Sequence, residues 1–582
     1  MTVKLEDTCV QEETESAGTK LVSIWLWLKQ ELAERSQTIG GVDNMWILLT
    51  DATEFNPVCA GTFTYRGKLT FEMAEHASNI QAKKFPRYRQ RLTSLGRRLH
   101  GARFEDDPDF DMRNHVEVVT LSEPAGKREL EDLMGEFLAR GWDLKRPLWD
   151  MILVENYHDE DGAESAMIIR GHHTLADGQG FVISELYMSS YHDELVELMT
   201  NGANQLHAAR RGHLRPSKLH PALRCLDQFT SNVDAAPLLT IFLAALFWLS
   251  FAVSMAVSLF WSTYQTVHQA ILFLLTCWRV DMITGDQPRR RTPFREYSTS
   301  RVFSIDDVKL CQQAFSGPRP GSAVSERERG KSKHVTLNDV LCSVMADVLG
   351  KEIAAKPVQS GRWGWVKRQL KKILPSPVGI IIPVSVREPG DWSMRNLATA
   401  SITYLYPLRT LSSDISTKEL HAHIHECHNE LALLKHSSAP KFWYHVLQLT
   451  GQVPFPVRIF LQSKSVKGLR RVWRRLVTIP VTSMFLDTCW SRLTSFPAVP
   501  GPAKNRVSME GIEMIRWTAL PPQAGKGTLG IGIISYAGGI CISVAADAVP
   551  SSQGVARRIC KSFEERFELY VERARQVVEH QD

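Results

Sequence analysis

The chain has 582 residues, of which 44% are hydrophobic, 23% charged and 9% aromatic, with a formal charge of +6. That balance excludes a collagen-like, wholly disordered or many-span membrane protein, and the charge is too mild for a dedicated nucleic-acid binder. The length suits two domains, because α/β domains often run past 200 residues.

Residues 1–20 are acidic and polar with no apolar core, so they read as a disordered tail and not as a secretory signal. Residues 44–65 read as the start of a short helix, a loop and a strand. Periodicity predicts helices over 69–80 and 87–98, and alternation predicts a strand over 115–121. An amphipathic helix over 127–140 precedes two apolar runs of strand length, 151–155 and 166–170, and a helix over 180–191.

Between 235 and 278 there is no Asp, Glu, Lys or Arg. As a helix, the uncharged stretch 237–261 would reach about 37 Å, enough to cross a hydrocarbon core. The following run, 268–278, is too short to span alone. A membrane-embedded or interfacial segment is the favoured reading, with a pair of buried helices at a domain junction as the alternative.

Beyond it, 288–299 reads as a basic linker and 316–333 as an irregular loop. A helix is expected over 336–350 and strands over 378–386 and 400–406. Residues 529–546 read as two strands around Ala537, Gly538 and Gly539, a hairpin signal. The chain closes on an amphipathic helix over 557–579. Strands and helices mix in both halves, so the fold class is α/β in two domains: 21–230 and 285–582, divided by the hydrophobic segment 235–278.

Ten cysteines are scattered without a CxxC pair, which fits unpaired thiols in a reducing compartment. Basic charge clusters at 362–372 and 463–476, acid-free segments interleaved with Trp363, Trp365 and Trp473. This pattern suits a helix lying on an anionic membrane surface. A solvated basic face or a patch for the CoA phosphates is the alternative.

His421, His425 and His428 share a helix face at spacing that suits a metal. The apolar stripe of Leu420, Ile424, Cys427, Leu431 and Leu434 beside them favours the flank of a half-exposed helix, and no metal is expected.

The sharpest local feature is His172-His173-Thr174-Leu175-Ala176-Asp177-Gly178, directly after a strand-like run. A neutral imidazole titrates near physiological pH and can take a proton from an alcohol as that alcohol attacks an acyl carbonyl. Asp177 suits a buried charge that fixes the loop through an arginine, and Gly178 allows a turn with no side chain above the site. A structural histidine pair in a tight turn is the bland alternative. No GxSxG elbow, Walker A loop or HExxH is present.

This segment resembles the HHxxxDG motif of the bifunctional wax ester synthase/diacylglycerol acyltransferase family, within the chloramphenicol-acetyltransferase-like CoA-dependent acyltransferases. The resemblance extends to Asp43 and the residues after it, to the stretch from Phe85 to Leu92, to Phe110 through Val116, and to the box Pro147-Leu148-Trp149-Asp150. In the second half it takes in Thr336-Leu337-Asn338-Asp339-Val340, Pro383 through Arg387 with Asn396, Val499-Pro500-Gly501-Pro502, and Ser535-Tyr536-Ala537-Gly538. The resemblance runs in order from about 38 to 576. Two departures bear on acceptor preference: PLWE is here PLWD, and the Asn of the family's SNVPGP is absent.

The resemblance implies two acyltransferase domains with the active site in a tunnel between them. His173 would be the general base that deprotonates a fatty alcohol or diacylglycerol, and the alkoxide would attack a long-chain acyl-CoA thioester. His172, Asp177 and Gly178 would support the base, and Asn338 would orient it or the tetrahedral intermediate. Acyl-CoA is then a co-substrate and no resident cofactor is needed. The implied partners are lipid alcohols and a membrane, with no nucleic acid. The expected location is the endoplasmic reticulum or a lipid droplet, with the site facing the cytosol. A different acceptor, such as a sterol or a secondary-metabolite alcohol, or a vestigial lipid-binding scaffold, are the competing readings. One site built from both halves requires both on the same side of the membrane, so 235–278 is expected to make an even number of passes or a hairpin turning near 262–265.

Overall fold

A computed structural model of the chain describes residues 26, 38–53, 56–95, 101–211, 237–276, 294–316, 334–355, 365–366, 369, 377–408, 415–436, 439–452, 484–488, 505–522, 529–548, 550 and 553–580. The expectations for the tail 1–20, the loop 317–333, the basic segment 463–476 and the segment 494–502 therefore lie outside the described residues. Of the basic segment 362–372 only three residues are described, and Trp365 among them is exposed.

The first part of the chain carries α1 (Gly41–Thr53), β1 (Val58–Arg66), α2 (Phe71–Lys84), β2 (Gln90–Thr93), β3 (Arg103–Asp106) and β4 (Val116–Val119). Then come α3 (Lys127–Ala139), β5 (Trp149–Val154), β6 (Ser165–His172), α4 (Gly178–Tyr187), α5 (His192–Arg211) and α6 (Pro237–Thr276). After α6 follow β7 (Arg295–Thr299), β8 (Phe303–Ser304), α7 (Ile305–Phe315), α8 (Leu337–Ala355), β9 (Val378–Ser385) and β10 (Ala398–Leu405). The last third holds α9 (Thr417–His436), α10 (Ala439–Gln452), β11 (Met484–Thr488), β12 (Ser508–Met509), β13 (Ile512–Leu520), β14 (Leu529–Tyr536), β15 (Gly539–Asp547) and α11 (Val555–Glu579).

Two mixed sheets organise these elements, in the α/β class expected. The first has the order β12-β13-β1-β6-β5-β4, and the second β10-β9-β11-β14-β15-β7, with β8 also on β15. The two halves interlock. β13, from the last third of the sequence, pairs antiparallel with β1 in the register Phe63↔Trp517. A single apolar cluster joins Phe63, Met167 and Phe181 of the first half to Met394, Trp517 and Ile534 of the second. Separating the halves would expose this shared core, at roughly 25 cal/mol for each Å² of apolar surface returned to water.

Three sequence expectations change. The helix expected over 87–98 is a single tight turn, Pro86–Tyr88, followed by the strand β2 on β3. Tyr88 and Leu92 are buried while Arg89 and Arg91 face Asp106 and Asp107, so the pattern that counts is the alternation of a strand. The basic linker expected over 288–299 ends in β7, whose Tyr297, Ser298 and Thr299 are buried on the edge of the second sheet. Glu131 of α3 accepts from both the Thr299 N–H and its hydroxyl, which secures that edge.

The third change concerns α6. No turn occurs near 262–265; the helix runs unbroken through 40 residues, about 60 Å at 1.5 Å per residue. Its polar residues are absorbed locally: the hydroxyls of Thr263 and Thr266 donate to the carbonyls of Leu259 and Ser262 one turn back. The second half of α6 lies against β10 and α10, with Ser262 and Leu272 buried. Phe242, Leu249 and Val253 in the first half are exposed, and so are Leu259, Phe260, Trp261, Tyr264, Val267 and Ile271 in the second. Taken over its described residues, no helix is long and apolar enough to cross a membrane.

Candidate active site

The His172–Gly178 turn follows β6 directly. His172 is the last residue of that strand, opposite Val58 of β1. Backbone bonds fix the turn at three points: His172 N–H to the Leu148 carbonyl at 2.9 Å, His173 N–H to Pro57 at 2.8 Å, and Leu175 N–H to His172 at 2.8 Å.

The two histidines are in opposite states. His172 is fully buried and both its nitrogens are committed. Its Nδ1 accepts from the Thr174 N–H at 3.1 Å, so the ring proton sits on Nε2, 2.9 Å from Thr50 Oγ1, whose own hydrogen goes to the Trp46 carbonyl. His173 Nδ1 lies 2.8 Å from the Ala176 carbonyl, a group that only accepts. The proton of His173 is therefore on Nδ1 and the lone pair on Nε2, which has no hydrogen bond among the described residues. Trp46 stacks on the ring at 4.4 Å between centroids. Burial pushes the pKa of His173 below the ordinary imidazole range, against the smaller pull of the Ala176 carbonyl and of the Asp177 and Asp43 carboxylates.

Asp177 does three things at once. It is the N-cap of α4, accepting from Gly180 N–H at 2.7 Å. The same oxygen meets Arg387 Nη2 at 2.9 Å, and the other accepts from Leu397 N–H at 2.9 Å. Arg387 is the arginine that the motif required. Its side chain is 0% exposed against 2% for Asp177, and its two terminal nitrogens also donate to the carbonyls of Asp391, Ser393 and Arg395. Breaking such a pair from one side leaves an uncompensated buried charge, a loss on the order of 3–5 kcal/mol.

A second tie runs through Asp43, on the first turns of α1. Its carboxylate accepts from Arg87 Nη2 at 2.7 Å and from the backbone and side-chain nitrogens of Asn396 at 2.8 and 2.6 Å. Arg87 also donates to the carbonyls of Leu175 and Met394 at 2.9 and 2.8 Å, and Asn396 to that of His173 at 2.7 Å. The Thr174 hydroxyl bonds the Asp43 carbonyl. The turn is thus clamped between α1 and the segment after β9. α1 itself is held by a glycine crossing with α10, where a Cβ on Gly41 would lie 1.9 Å from the Gln448 carbonyl oxygen.

Behind the turn, Cys59, Phe63, Ile169, Phe181 and Trp517 line an apolar cavity of about 40 Å³, and Gly178 forms part of its wall. Phe181 presses so closely on Gly171 that a Cβ there would meet its ring at 2.4 Å. Glu185 of α4 faces the same cavity. It is 8% exposed, and its Oε2 is buried without a partner. Burial raises its pKa to about 8, so at neutral pH it is mostly a carboxylic acid.

Of the residues read from the sequence, His172, His173, Asp177 and Gly178 meet in this one turn. Asn338 is buried on the first turn of α8 with its Oδ1 unpartnered, and no described bond links it to His173. The PLWD box serves the sheet: Trp149 is buried against Tyr88 and His115, and Asp150 pairs with Arg170 at 2.5 Å. The α9 histidines are individually spoken for. His428 pairs with Asp339 at 2.8 Å, His425 with the Phe315 carbonyl at 2.9 Å, and His423 lies 3.2 Å from Asp347. Among the described residues no group of three His, Cys, Asp or Glu side chains is placed to hold a metal. The six described cysteines are buried and unbridged. Trp46 and Thr50 were not singled out from the sequence, since nothing in a helix's spacing shows that its residues reach a turn more than a hundred positions away, and nor was Glu185, whose helix pattern does not show that it faces a cavity.

Comparison with known proteins gives the family. Residues 50–238 match the wax ester synthase/diacylglycerol acyltransferase catalytic domain, and residues 403–569 match the C-terminal domain of the same family. The chain belongs to this family. The catalytic-domain match contains the whole histidine turn, and the C-terminal match runs from the end of β10 into α11. Arg387 and Asn396, which clamp the turn, fall between the two matched regions.

Similar curated proteins include two from Mycobacterium tuberculosis that carry provisional names as diacylglycerol O-acyltransferases. One is 27% identical over 24% of this chain and 29% of its own length. The other is 31% identical over 22% of this chain and 28% of its own. The chain thus matches less than a third of the length of these relatives. Among solved structures, a wax ester synthase/diacylglycerol acyltransferase from Marinobacter aquaeolei VT8 aligns over 92% of this chain and 99% of its own, at 14% identity and a TM-score of 0.48.

Proposed function

We propose that this family member is a long-chain acyl-CoA-dependent O-acyltransferase that esterifies diacylglycerol, fatty alcohols or both, with His173 as general base. The observation that carries the reading is the tautomer of His173: Nδ1–H is tied to the Ala176 carbonyl, and an unprotonated Nε2 is left for substrate. The lowered pKa keeps that ring neutral at pH 7, the state a base must start from. Nε2 takes the proton of the acceptor hydroxyl as its oxygen bonds to the thioester carbonyl carbon. The tetrahedral intermediate then collapses, the C–S bond breaks, and the imidazolium returns the proton to the departing CoA thiolate.

The other residues position this base. His172 anchors the strand end through Thr50, Asp177 and Arg387 fix the far side of the turn, and Asp43, Arg87 and Asn396 lock it to the second half. Gly178 keeps the wall beside it free of a side chain. Asn338, whose Oδ1 is buried without a partner, is assigned to orienting the base or the tetrahedral intermediate on its motif alone. Acyl-CoA is a co-substrate in this scheme, and no step needs a resident cofactor.

The exposed apolar side chains along α6 support association with a membrane surface, where such substrates partition. Because β13 is shared between the halves, both lie on one side of that surface. We place that side in the cytosol, on the endoplasmic reticulum or a lipid droplet. The experiment is direct. Membranes containing the chain receive labelled palmitoyl-CoA with diolein or hexadecanol, and ester formation is read by chromatography. Esterification of either acceptor is expected, and esterification of neither overturns the proposal.

A further inference from the structure

The acyl-transfer scheme leaves one buried acid unused. Glu185 shares a face of α4 with Gly178, Phe181 and Val182, at spacings of three and four, and all four line the cavity behind the histidine turn. Across from them stand Phe63 of β1, Ile169 of β6 and Trp517 of β13. The cavity therefore lies between α4 and the first sheet. Its Gly178 end is beside the turn that carries His173, and Glu185 stands about 10 Å further along the helix. At about 40 Å³ the space is too small for a ring system or a whole lipid, and it suits part of one unbranched chain.

Inside this cavity the hydrogen bonding of Glu185 is incomplete. Its Oε2 is buried without a partner, and its carboxyl makes no hydrogen bond or ion pair among the described residues. The two nearby phenols are committed elsewhere. Tyr65 donates to Met509 Sδ at 3.8 Å, and Tyr88 donates at 2.8 Å to Ser184 Oγ, whose own hydrogen goes to the Phe181 carbonyl. Of the other lining residues only Cys59 and Trp517 carry a polar side-chain atom. Burial keeps the acid protonated at neutral pH, so it faces an apolar space as an O–H donor. A plain alkyl chain would leave that donor unmade, at the full cost of an unsatisfied buried group. A cation would need the ionised acid, with no further charged wall to share it, and an anion would find no cation in the lining.

We propose that this cavity receives an alkyl chain bearing one hydrogen-bond-accepting oxygen, a hydroxyl or an ether, and that Glu185, by donating to that oxygen, selects oxygenated over plain chains at the His173 turn. Glu185 sets specificity in this scheme and takes no part in the proton transfer. The inference rests on the reading of the chain as an acyltransferase of lipid alcohols. The acyl donor and the alcohol acceptor both carry alkyl chains, and the chemistry at Glu185 is the same for either.

The test uses the full chain in membranes, with paired substrates competing in one tube and the two esters counted by mass spectrometry. In the donor arm, medium- and long-chain acyl-CoAs compete with their terminal-methoxy analogues for hexadecanol. In the acceptor arm, alkanols of the same lengths compete with their terminal-methoxy analogues for palmitoyl-CoA. The wild type is expected to favour the methoxy chain by about tenfold or more in one arm, which names the substrate, at the length that brings the oxygen to Glu185. Glu185→Leu is expected to reverse that preference, and Glu185→Gln, whose amide still donates, to keep it. Between about pH 6.5 and 8.5 the wild-type preference is expected to fall as the acid ionises, while that of Glu185→Gln stays level; this control cancels any titration of Cys59, and burial holds Tyr65 and Tyr88 neutral throughout. No preference in either arm at any length, or a preference that Glu185→Leu leaves intact, overturns the proposal. Binding is read apart from turnover in His173→Ala, where the methoxy chain is expected to raise the melting temperature more than the plain one, and adding Glu185→Leu to remove the difference. That difference in a chain whose wild type makes no ester supports the site and defeats the assigned reaction, whereas ester formation without preference defeats the site alone.

Discussion

Replacing Glu185 with Gln isolates a single buried acid. The carboxyl faces an apolar cavity with Oε2 unpartnered, and burial alone lifts its pKa from 4.5 to about 8. A group whose folded pKa is raised contributes stability that is complete below its unfolded pKa and is lost as pH rises through the folded value. At 1.36 kcal/mol per pH unit, the window from pH 5.5 to 8 is worth about 3 kcal/mol. At 2–4 °C per kcal/mol for a large domain, that is a fall of roughly 6–12 °C in Tm. Gln keeps the shape and does not titrate, so Glu185→Gln removes this component while leaving the opposite dependence from His173 in place. Differential scanning of both proteins at pH 5.5, 7 and 8.5 is the assay. The wild type is expected to match the variant at pH 5.5 and to melt several degrees below it at pH 8.5. Parallel curves would refute the assignment of a neutral carboxyl to this cavity.

Other sites give independent checks. Asp177→Asn leaves Arg387 buried without its counter-charge, and a loss of about 3–5 kcal/mol in chemical denaturation is expected together with loss of turnover. A change under 1 kcal/mol would contradict the clamp. Gly41→Ala forces α1 away from α10 at a contact of 1.9 Å, an overpacking cost of about 1–3 kcal/mol. Because α1 carries Asp43, Trp46 and Thr50, kcat is expected to fall while circular dichroism stays native. In the pH dependence of kcat/KM, the acid limb is expected to break below pH 6.5, since protonating His173 removes the base and burial depresses its pKa. A break above 6.5 would exclude this buried ring as the titrating group.

Local chemistry was legible in the sequence where it was written in adjacent residues. The histidine turn, the strand before it, the hairpin around Ala537 and Gly538, and the need for an arginine opposite Asp177 could all be read from short spans. What escaped is non-local. Phe63 and Trp517 are neighbours across two strands, yet nothing in the spacing of 512–520 shows that this strand crosses into the first sheet. Arg87 sits in a stretch whose Arg-x-Arg alternation was read as helical, and its partners at Asp43, Leu175 and Met394 come from three separate segments. The turn expected near 262–265 followed from keeping both halves on one side of a membrane, and the unbroken helix α6 shows no such turn; the Thr263 and Thr266 hydroxyls bond the carbonyls four residues back and leave the helix intact. Trp46 and Glu185 carry no sequence signal, since only the fold turns one against His173 and the other into an apolar cavity.

The central claim is that His173 Nε2 is the base for acyl transfer, and single-turnover measurement of ester formation by His173→Ala tests it most directly. Wild-type and variant chains, matched for melting temperature and vesicle binding, are mixed with labelled palmitoyl-CoA and saturating diolein or hexadecanol. General-base catalysis is commonly worth 10²–10⁴-fold. A rate constant lower by about that factor, with palmitoyl-CoA binding retained, is the predicted result, and ester formation at the wild-type rate would contradict the account.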